Sequence, residues 1–427
     1  MAKLLIATSG TTKEPVIKAI ESGNYKKVLI FTHKQVIDVA KEIKNKYPGK
    51  IIIKEISNQD DPDITFKEID KEIKKILKTK KFLSNDIIVD FTAGTKAMVV
   101  GAAIAALMNS IPVVEYIGGY RDKTGTVING REDVHIFSMP EIVISKYKLI
   151  IKKLFNNYEF SSIESIIKEI EENHRIKLET EPYLKFIFDL SNVYLNWDRM
   201  QYEIAMEGMG KIKIQDDLLQ ELPDDFVEKF NKNKAALGRT TKSKFFKILD
   251  KFAAAKRSFE KAYYHMTAEM LYSLIEFIGD YILDKEYKLN KNDIDVKKAI
   301  ELAKEKIDEN YFETSRSKVN NKIQLPLYHS YELLKILGNK IGEHFTGSKE
   351  LVGVIRMRNE AIHSNCPVTK ELAKKFLEKT EEFLKLFCEK YAEDKEKDVN
   401  KLINNYEFVK IWKEYNATNL CKHRWGF

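Results

Sequence analysis

Cysteine is nearly absent from this chain of 427 residues: Cys366, Cys388 and Cys421 are the only three, far apart and without C-x-x-C spacing. That excludes a disulfide framework and a zinc knuckle and fits a reducing cytoplasm. Charge of one sign is not in large excess either, since 72 basic residues face 64 acidic ones for a net +8. Such a mixture describes a solvated surface more than a dedicated polycation, and it allows transient contact with RNA without demanding it. The first residues lack the pattern of a secretory leader, because "MAKLLIATSGTTKEP" turns polar after one short apolar run, so no export is expected. No long apolar run reads as a membrane span. The longest, "AMVVGAAIAALMNSIPVV" from Ala97 to Val114, is interrupted by Asn109-Ser110 and a proline, and is expected to be a buried helix. Internal repeats and low-complexity tracts are missing as well.

What is present falls into two halves with different periods, in a chain long enough for about two or three domains. From Lys3 to about Pro140, the runs "KLLIA", "KVLIF", "KIIIKEI" and "DIIVDF" alternate with helical stretches such as Gln35 to Lys46 and Ile64 to Lys78. Strands rich in Ile and Val, without a polar face and separated by amphipathic helices, predict a parallel sheet covered on both sides, a Rossmann-like α/β domain. A fifth strand, "VVEYI", runs into Gly118-Gly119, and an Asn129-Gly130 turn before "DVHIFSM" predicts an appended hairpin at the sheet edge. After Pro140 the strand signal vanishes. Segments such as "AEMLYSLIEFIGDYI" and "ELAKKFLEKTEEFLKLFCEKY" carry apolar residues three and four apart, so the rest is expected to be all-α. The polar stretch from Gln215 to Arg257, with "KFNKNKAALGRTTKSKFFK", reads as a mobile insertion or RNA-facing surface, or as a plain solvated helix face.

Two loops of the α/β half carry phosphate chemistry. "ATSGTTKEP" follows the first strand and holds Ser9, Gly10, Thr11, Thr12 and Lys13; "DFTAGTKAM" follows the fourth and holds Thr92, Gly94, Thr95 and Lys96. Ligands of an open parallel sheet bind beyond the carboxyl ends of its strands, where glycines admit close approach and helix N-termini offer free N–H groups. Neither loop has Walker A or G-x-G-x-x-G spacing, which argues against ATP hydrolysis and NAD chemistry. One such loop alone reads more plainly as a strand-to-helix turn with an N-cap. Two on one sheet edge point to an anionic nucleotide. "DFTAGTKAM" and "LLIATSGTT" together resemble the CARF domain, the sensor of CRISPR-associated ancillary proteins, over roughly the first 140 residues. The resemblance implies binding of a cyclic oligoadenylate across a two-fold dimer interface, with Ser9, Gly10, Thr11, Thr92, Gly94, Thr95 and Lys96 lining the activator pocket.

Late in the chain stands "RMRNEAIHSN", in which Arg358, Asn359 and His363 form R-N-x-x-x-H ahead of Ser364-Asn365-Cys366-Pro367, a helix stop. Arg358 and His363 are five residues apart, about 140° around a regular helix, so one helix cannot aim both at one phosphate without a distorted end or a second copy of the motif. Their chemistry suits metal-independent RNA cleavage: an imidazole moves protons near neutrality, and a guanidinium grips phosphate oxygens as charge builds. Asn359 would orient the histidine or the loop. On the motif alone, a surface arginine and a capped helix-terminal histidine are the plainer description. In a helical domain behind a CARF-like sensor, the string resembles the HEPN ribonucleases, and the helix from Ala268 resembles an earlier HEPN core helix, with Tyr272 and Glu276 as candidates to face the site.

Both halves in this order resemble the Csm/Csx-type ancillary CARF–HEPN endoribonucleases of type III CRISPR systems. The resemblance implies three segments: a CARF-like sensor over residues 1–140, a helical connector or insertion over 141–256, and a HEPN-like ribonuclease over 257–427. It implies a cytoplasmic homodimer without membrane attachment, cofactor or metal, activated by a cyclic oligoadenylate, the tetra-adenylate favoured over the hexa-adenylate, and cutting single-stranded RNA in antiviral defence. The competing reading is a non-catalytic nucleotide-sensing regulator whose helical half binds nucleic acid or a protein partner; a compact basic recognition helix, which it would want, is not evident. A nucleotide-dependent metabolic enzyme would want paired carboxylates or a cofactor fingerprint in the loops, and neither is there.

Overall fold

The computed structural model describes residues 3–411 apart from 112, 122, 124–126, 139, 175–176, 320, 365 and 393–398. The chain divides into two compact units, Met1–Lys152 with Ser162–Phe188, and Lys153–Ser161 with Asp189–Phe427.

In the first unit, the strands are β1 (Lys3–Thr8), β2 (Tyr25–Thr32), β3 (Ile51–Glu55), β4 (Ile87–Asp90), β5 (Val113–Arg121) and β6 (Val127–Ser138). They form one six-stranded sheet in the order β3-β2-β1-β4-β5-β6. The first five are parallel and β6 is antiparallel. The helices between them are α1 (Glu14–Ser22), α2 (Ile37–Lys46), α3 (Pro62–Lys78) and α4 (Lys96–Met108), followed by α5 (Pro140–Asn156) and α6 (Phe160–His174). Alternate residues of the strands go to opposite faces, and both faces are apolar. Leu4, Ile6, Leu29, Phe31 and Val89 pack with Ile69 and Ile73 of α3 and Met98 and Ala102 of α4. Leu5, Ala7, Val28 and Ile30 pack with Val16 and Ile20 of α1 and Ala40 and Ile43 of α2. This is the doubly covered sheet that the Ile/Val runs predict. The strand order reverses between β1 and β4, which opens a crevice at the carboxyl edge between the two loops singled out above.

Local signals set the helix starts. Asp61 caps α3 by accepting from the backbone N–H groups of Asp63 and Ile64, with Pro62 in the first turn. The stretch from Ala97 is a helix as expected, but buried on one side only. Met98, Gly101, Ala102, Ala105 and Ala106 face inward, while Val100, Ile104 and Met108 are exposed in one stripe. The hairpin is present, but its turn lies between Arg121 and Val127, and Asn129-Gly130 falls inside β6. The ladder explains the misreading: the β5–β6 register shifts between Gly119 and Arg121, so the strands turn earlier than the Asn-Gly pair indicates.

The second unit is helical. Its elements run from the second half of α7 (Pro182–Asp198), which begins in the first unit, through α8 (Tyr202–Lys211), α9 (Asp216–Leu219) and α10 (Phe226–Thr240) to α11 (Lys244–Glu260) and α12 (Tyr264–Ile282). Then come α13 (Val296–Leu302), α14 (Asn310–Glu313), α15 (Leu327–Ile336), α16 (Lys340–Gly347), α17 (Lys349–His363), α18 (Lys370–Tyr391) and α19 (Val399–Asn404). The segment from Gln215 to Arg257 is no mobile insertion: it supplies α10 and α11, whose Phe245, Leu249 and Phe252 are core residues. Its lysines read as a basic run because they lie on solvated faces, where Lys229 pairs with Asp225 and Lys232 with Glu228.

Two polar residues of that segment are buried and anchor the chain that follows α19. Asn233 donates to the carbonyls of Asn405 and Glu407 at 2.9 Å each and accepts from the Tyr194 hydroxyl at 2.7 Å. Arg257 lies with Nη2 2.8 Å from Asp198, donates to the Tyr406 carbonyl, and stacks 3.7 Å over the Phe408 ring. Beside it, Asp250 accepts from the Trp197 indole at 2.8 Å. Burial pushes the Asp250 carboxyl up to about 6, with Arg257 pulling the other way.

Candidate functional site

At the sheet edge, the two loops meet backbone to backbone. A Cβ added at Gly10 would come within 3.1 Å of the Gly94 nitrogen, and Gly94 itself has φ of +112°. Both glycines are therefore dictated by the crossing. The Thr8 hydroxyl donates to the Ala93 carbonyl and ties the loops together. Thr92 and Thr95, both expected to face an activator, have hydroxyls engaged within the protein. Thr92 donates to Asp90 at 2.7 Å and accepts from the Ile117 N–H at 2.7 Å. Thr95 caps α4 by accepting from the Met98 N–H and donates to the Gln59 carbonyl. Thr11 and Lys96 are exposed, Lys96 being the first residue of α4, where a cation adds to the positive helix end.

Ser9 differs from these. Its N–H donates to the Phe31 carbonyl at 2.8 Å, yet its hydroxyl is buried and has no partner. The Thr32 hydroxyl and the His33 Nδ1, at the neighbouring end of β2, share that condition. Buried polar atoms without partners are uncommon and costly, which makes this edge a place where a bound polar group or water would be stabilising. Thr32 and His33 were not legible as site residues, since "FTHKQ" has no motif that distinguishes a satisfied strand end from an orphaned one.

In the helical unit, α17 carries Arg358 and Asn359, and α12 carries their neighbours. The Arg358 side chain is only 14% exposed. Its Nη1 donates to Asn359 Oδ1 at 2.9 Å, so Asn359 orients the arginine in this state. The guanidinium lies 4.4 Å from the centre of the Tyr272 ring, and Nη2 is 3.7 Å from Glu269. Arg358 Nε is buried and has no acceptor. Burial pushes the Tyr272 phenol up, Glu276 adds to the shift and Arg358 opposes it, so the ring stays neutral. Of the two sequence candidates on α12, Tyr272 meets Arg358, whereas Glu276 sits 3.6 Å from Lys291. Glu269, one turn before Tyr272, is the residue that sequence reasoning passed over; it also lies 3.7 Å from His265. His363 ends α17, and its side chain is outside the described residues, as is Asn365. The helix closes there through Ser364 N–H to Glu360 and Cys366 N–H to Ala361.

A Rossmann-like unit followed by a helical unit, in which Arg358 lies over the half-buried Tyr272 ring, is the CARF–HEPN architecture of CRISPR-associated ribonucleases. Comparison narrows the class. Residues 236–403 match the family model described as the Csm6 HEPN domain, and residues 147–240 match that of the Csm6 6H domain. The chain belongs to the Csm6 family. Among solved structures, it is similar in fold to Enterococcus italicus Csm6 bound to cyclic hexa-2′-fluoro-hexa-dAMP, with a TM-score of 0.56 and 12% identity over 95% of this chain and 99% of that one. Among curated proteins, no sequence match is found. No helix of the described residues is long and apolar enough to cross a membrane.

Proposed function

We propose that this protein is a cyclic-oligoadenylate-activated endoribonuclease that cuts single-stranded RNA without a metal ion and works as a homodimer in type III CRISPR defence. The observation that carries the reading is Arg358: a largely buried guanidinium stacked on Tyr272 and held by Asn359 is an oriented cation for a phosphate oxygen. In the reaction, the RNA 2′-hydroxyl attacks the adjacent phosphorus, the 5′-oxygen leaves, and a 2′,3′-cyclic phosphate forms. His363 takes the proton of the attacking 2′-hydroxyl and returns it to the leaving 5′-oxygen, and Arg358 stabilises the charge on the phosphate. Asn359 holds the arginine. Two copies of the motif meet the angular problem of α17. In the first unit, the stripe Val100, Ile104 and Met108 supports the same pairing.

The bound molecule of the E. italicus protein supports a cyclic oligoadenylate as activator class. The sequence reading favours the tetra-adenylate, and titration with both rings decides between them. Since Thr95 is an N-cap, Lys96→Ala and Ser9→Ala are the cleaner probes. Lys96→Ala removes a cation at the start of α4; Ser9→Ala deletes a hydroxyl without a protein partner and should leave stability unchanged. Each is expected to raise the activator concentration for half-maximal RNA cutting roughly tenfold, about the scale of one charge-assisted contact, while keeping the maximal rate. Unchanged activator affinity by calorimetry in both variants would remove the pocket assignment.

The platform has its own test. Tyr272→Ala should slow single-turnover cutting by roughly tenfold, the scale of a desolvated cation–π contact, while Tyr272→Phe, which keeps the ring, should stay near wild type. A Phe variant as slow as the Ala variant would assign the role to the hydroxyl and not to the ring.

A further inference from the structure

Helix α4 has the activator edge at one end and a second polar cluster at the other. Its N-terminus carries Thr95 and Lys96, and its C-terminus runs through Met108, Asn109 and Ser110. There Lys146 of α5 donates to the Met108 carbonyl at 3.2 Å and to the Ser110 hydroxyl at 3.3 Å. Tyr147 of α5 lies with its hydroxyl 3.4 Å from that of Ser110 and donates to Glu169 of α6 at 2.9 Å. The last turn of α4 is thereby hydrogen-bonded to α5, and through Tyr147 to α6. Ser110 is held in the left-handed region at φ of +55°, a conformation that costs about 1 kcal/mol for a residue with a Cβ and persists where its surroundings dictate it. Alongside lies a surface pocket of about 680 Å³ bordered by Leu77, Phe82, Leu83, Met108, Ile150 and Ile166. It is open to solvent, with Leu83, Met108 and Ile150 exposed on its rim, so this side of the α4 end is not close-packed.

We infer that α4 is the rod that carries activator binding away from the sheet edge, and that the Ser110–Tyr147–Glu169 cluster is the joint where it moves α5 and α6. The inference rests on the proposed activation of RNA cutting and names its regulation. α5 is the helix by which the chain leaves the sheet, so displacement of the α4 C-terminus acts directly on the segment that leads to the helical half. An energetic coupling requires an element with two arrangements that both sites bias, and that element is here placed at the polar joint, where the α4 end borders the open pocket.

The test uses the full chain and two variants, Tyr147→Phe and Ser110→Ala, measured for cyclic tetra- and hexa-adenylate affinity by calorimetry, for RNA cutting, and for thermal midpoint. Each variant removes one hydroxyl of the joint and no group of the activator edge. Activator affinity is expected within about twofold of wild type, and the activated rate is expected to fall roughly three- to tenfold, the scale of one or two hydrogen bonds. Activation equal to wild type in both variants overturns the inference. So does a parallel fall of affinity and rate in both, which would make the cluster part of the fold that supports the ligand edge. If one variant unfolds early, the other alone decides. Wild-type protein that binds either ring but is not activated would instead overturn the functional reading on which the inference rests.

Discussion

Protein carrying His363→Ala should cut RNA at least about a hundredfold more slowly than wild type, the usual scale for loss of a general acid–base group. Folding and activator binding should be intact, because His363 is the last residue of α17 and belongs to the helical unit, remote in sequence from the sheet edge. Arg358→Ala is expected to lose activity on a similar scale through a different step, the stabilisation of charge on the phosphate. It also empties the face of Tyr272 and frees Asn359, so a modest stability loss accompanies it. Arg358→Lys should not restore the rate, since a point charge on a flexible stem neither stacks on Tyr272 nor presents a planar fork to phosphate. Cleavage assays on folded variants, checked by circular dichroism, measure this. Cutting by His363→Ala at near wild-type rate would return the R-N-x-x-x-H string to an ordinary helix end.

Arg257→Ala should be the most destabilising single change in the helical unit, by about 3 kcal/mol or more, because it breaks a buried ion pair from one side. Three things are lost together: the pairing of Asp198, the hydrogen bond to the Tyr406 carbonyl, and the stacking on Phe408. For a unit of this size, the thermal midpoint should drop by roughly 6 to 12 °C. The deficit should also depend on pH. Asp250 already has a carboxyl pushed up to about 6 by burial, and Arg257 is what holds it from rising further. A carboxylic acid raised in the folded state is best tolerated below its unfolded pKa and costs stability as pH rises through the folded one. Without Arg257 that cost grows, so the gap between variant and wild type should widen from pH 5 to pH 7.5. A midpoint shift under 2 °C, or a gap that narrows with rising pH, would contradict this description of the core.

The sheet was legible because its strands are buried on both faces, and a run such as "KVLIF" has no other comfortable place. The loops were legible because glycines mark a close backbone crossing, tight at Gly10 and at positive φ at Gly94. The Asn129-Gly130 turn was misplaced because a turn signal is local, whereas the register is set by the ladder with β5. The Gln215 to Arg257 stretch is the solvated helix face that was one of its readings, and only its buried anchors were hidden, for a related reason. Asn233 and Arg257 look like surface residues until the chain beyond α19 returns to bond them, a contact that no window of the sequence contains. In the candidate site, Arg358 and Asn359 were found by motif, while Glu269 has nothing in its neighbourhood to mark it apart from a helical position near Tyr272. Which threonines keep a free hydroxyl at the sheet edge likewise depends on partners, Asp90 and Ile117 for Thr92 and Gln59 for Thr95, that sequence spacing does not reveal.

The most direct measurement is a cleavage assay of end-labelled single-stranded RNA by the wild-type protein in EDTA, with no activator, with cyclic tetra-adenylate and with cyclic hexa-adenylate, followed by analysis of the product ends. Cutting is expected only with a cyclic oligoadenylate, undiminished by the chelator, and leaving 2′,3′-cyclic phosphate and 5′-hydroxyl ends, because the attacking oxygen belongs to the RNA. Cutting that EDTA abolishes, 5′-phosphate ends, or RNA left intact with every ring would contradict it.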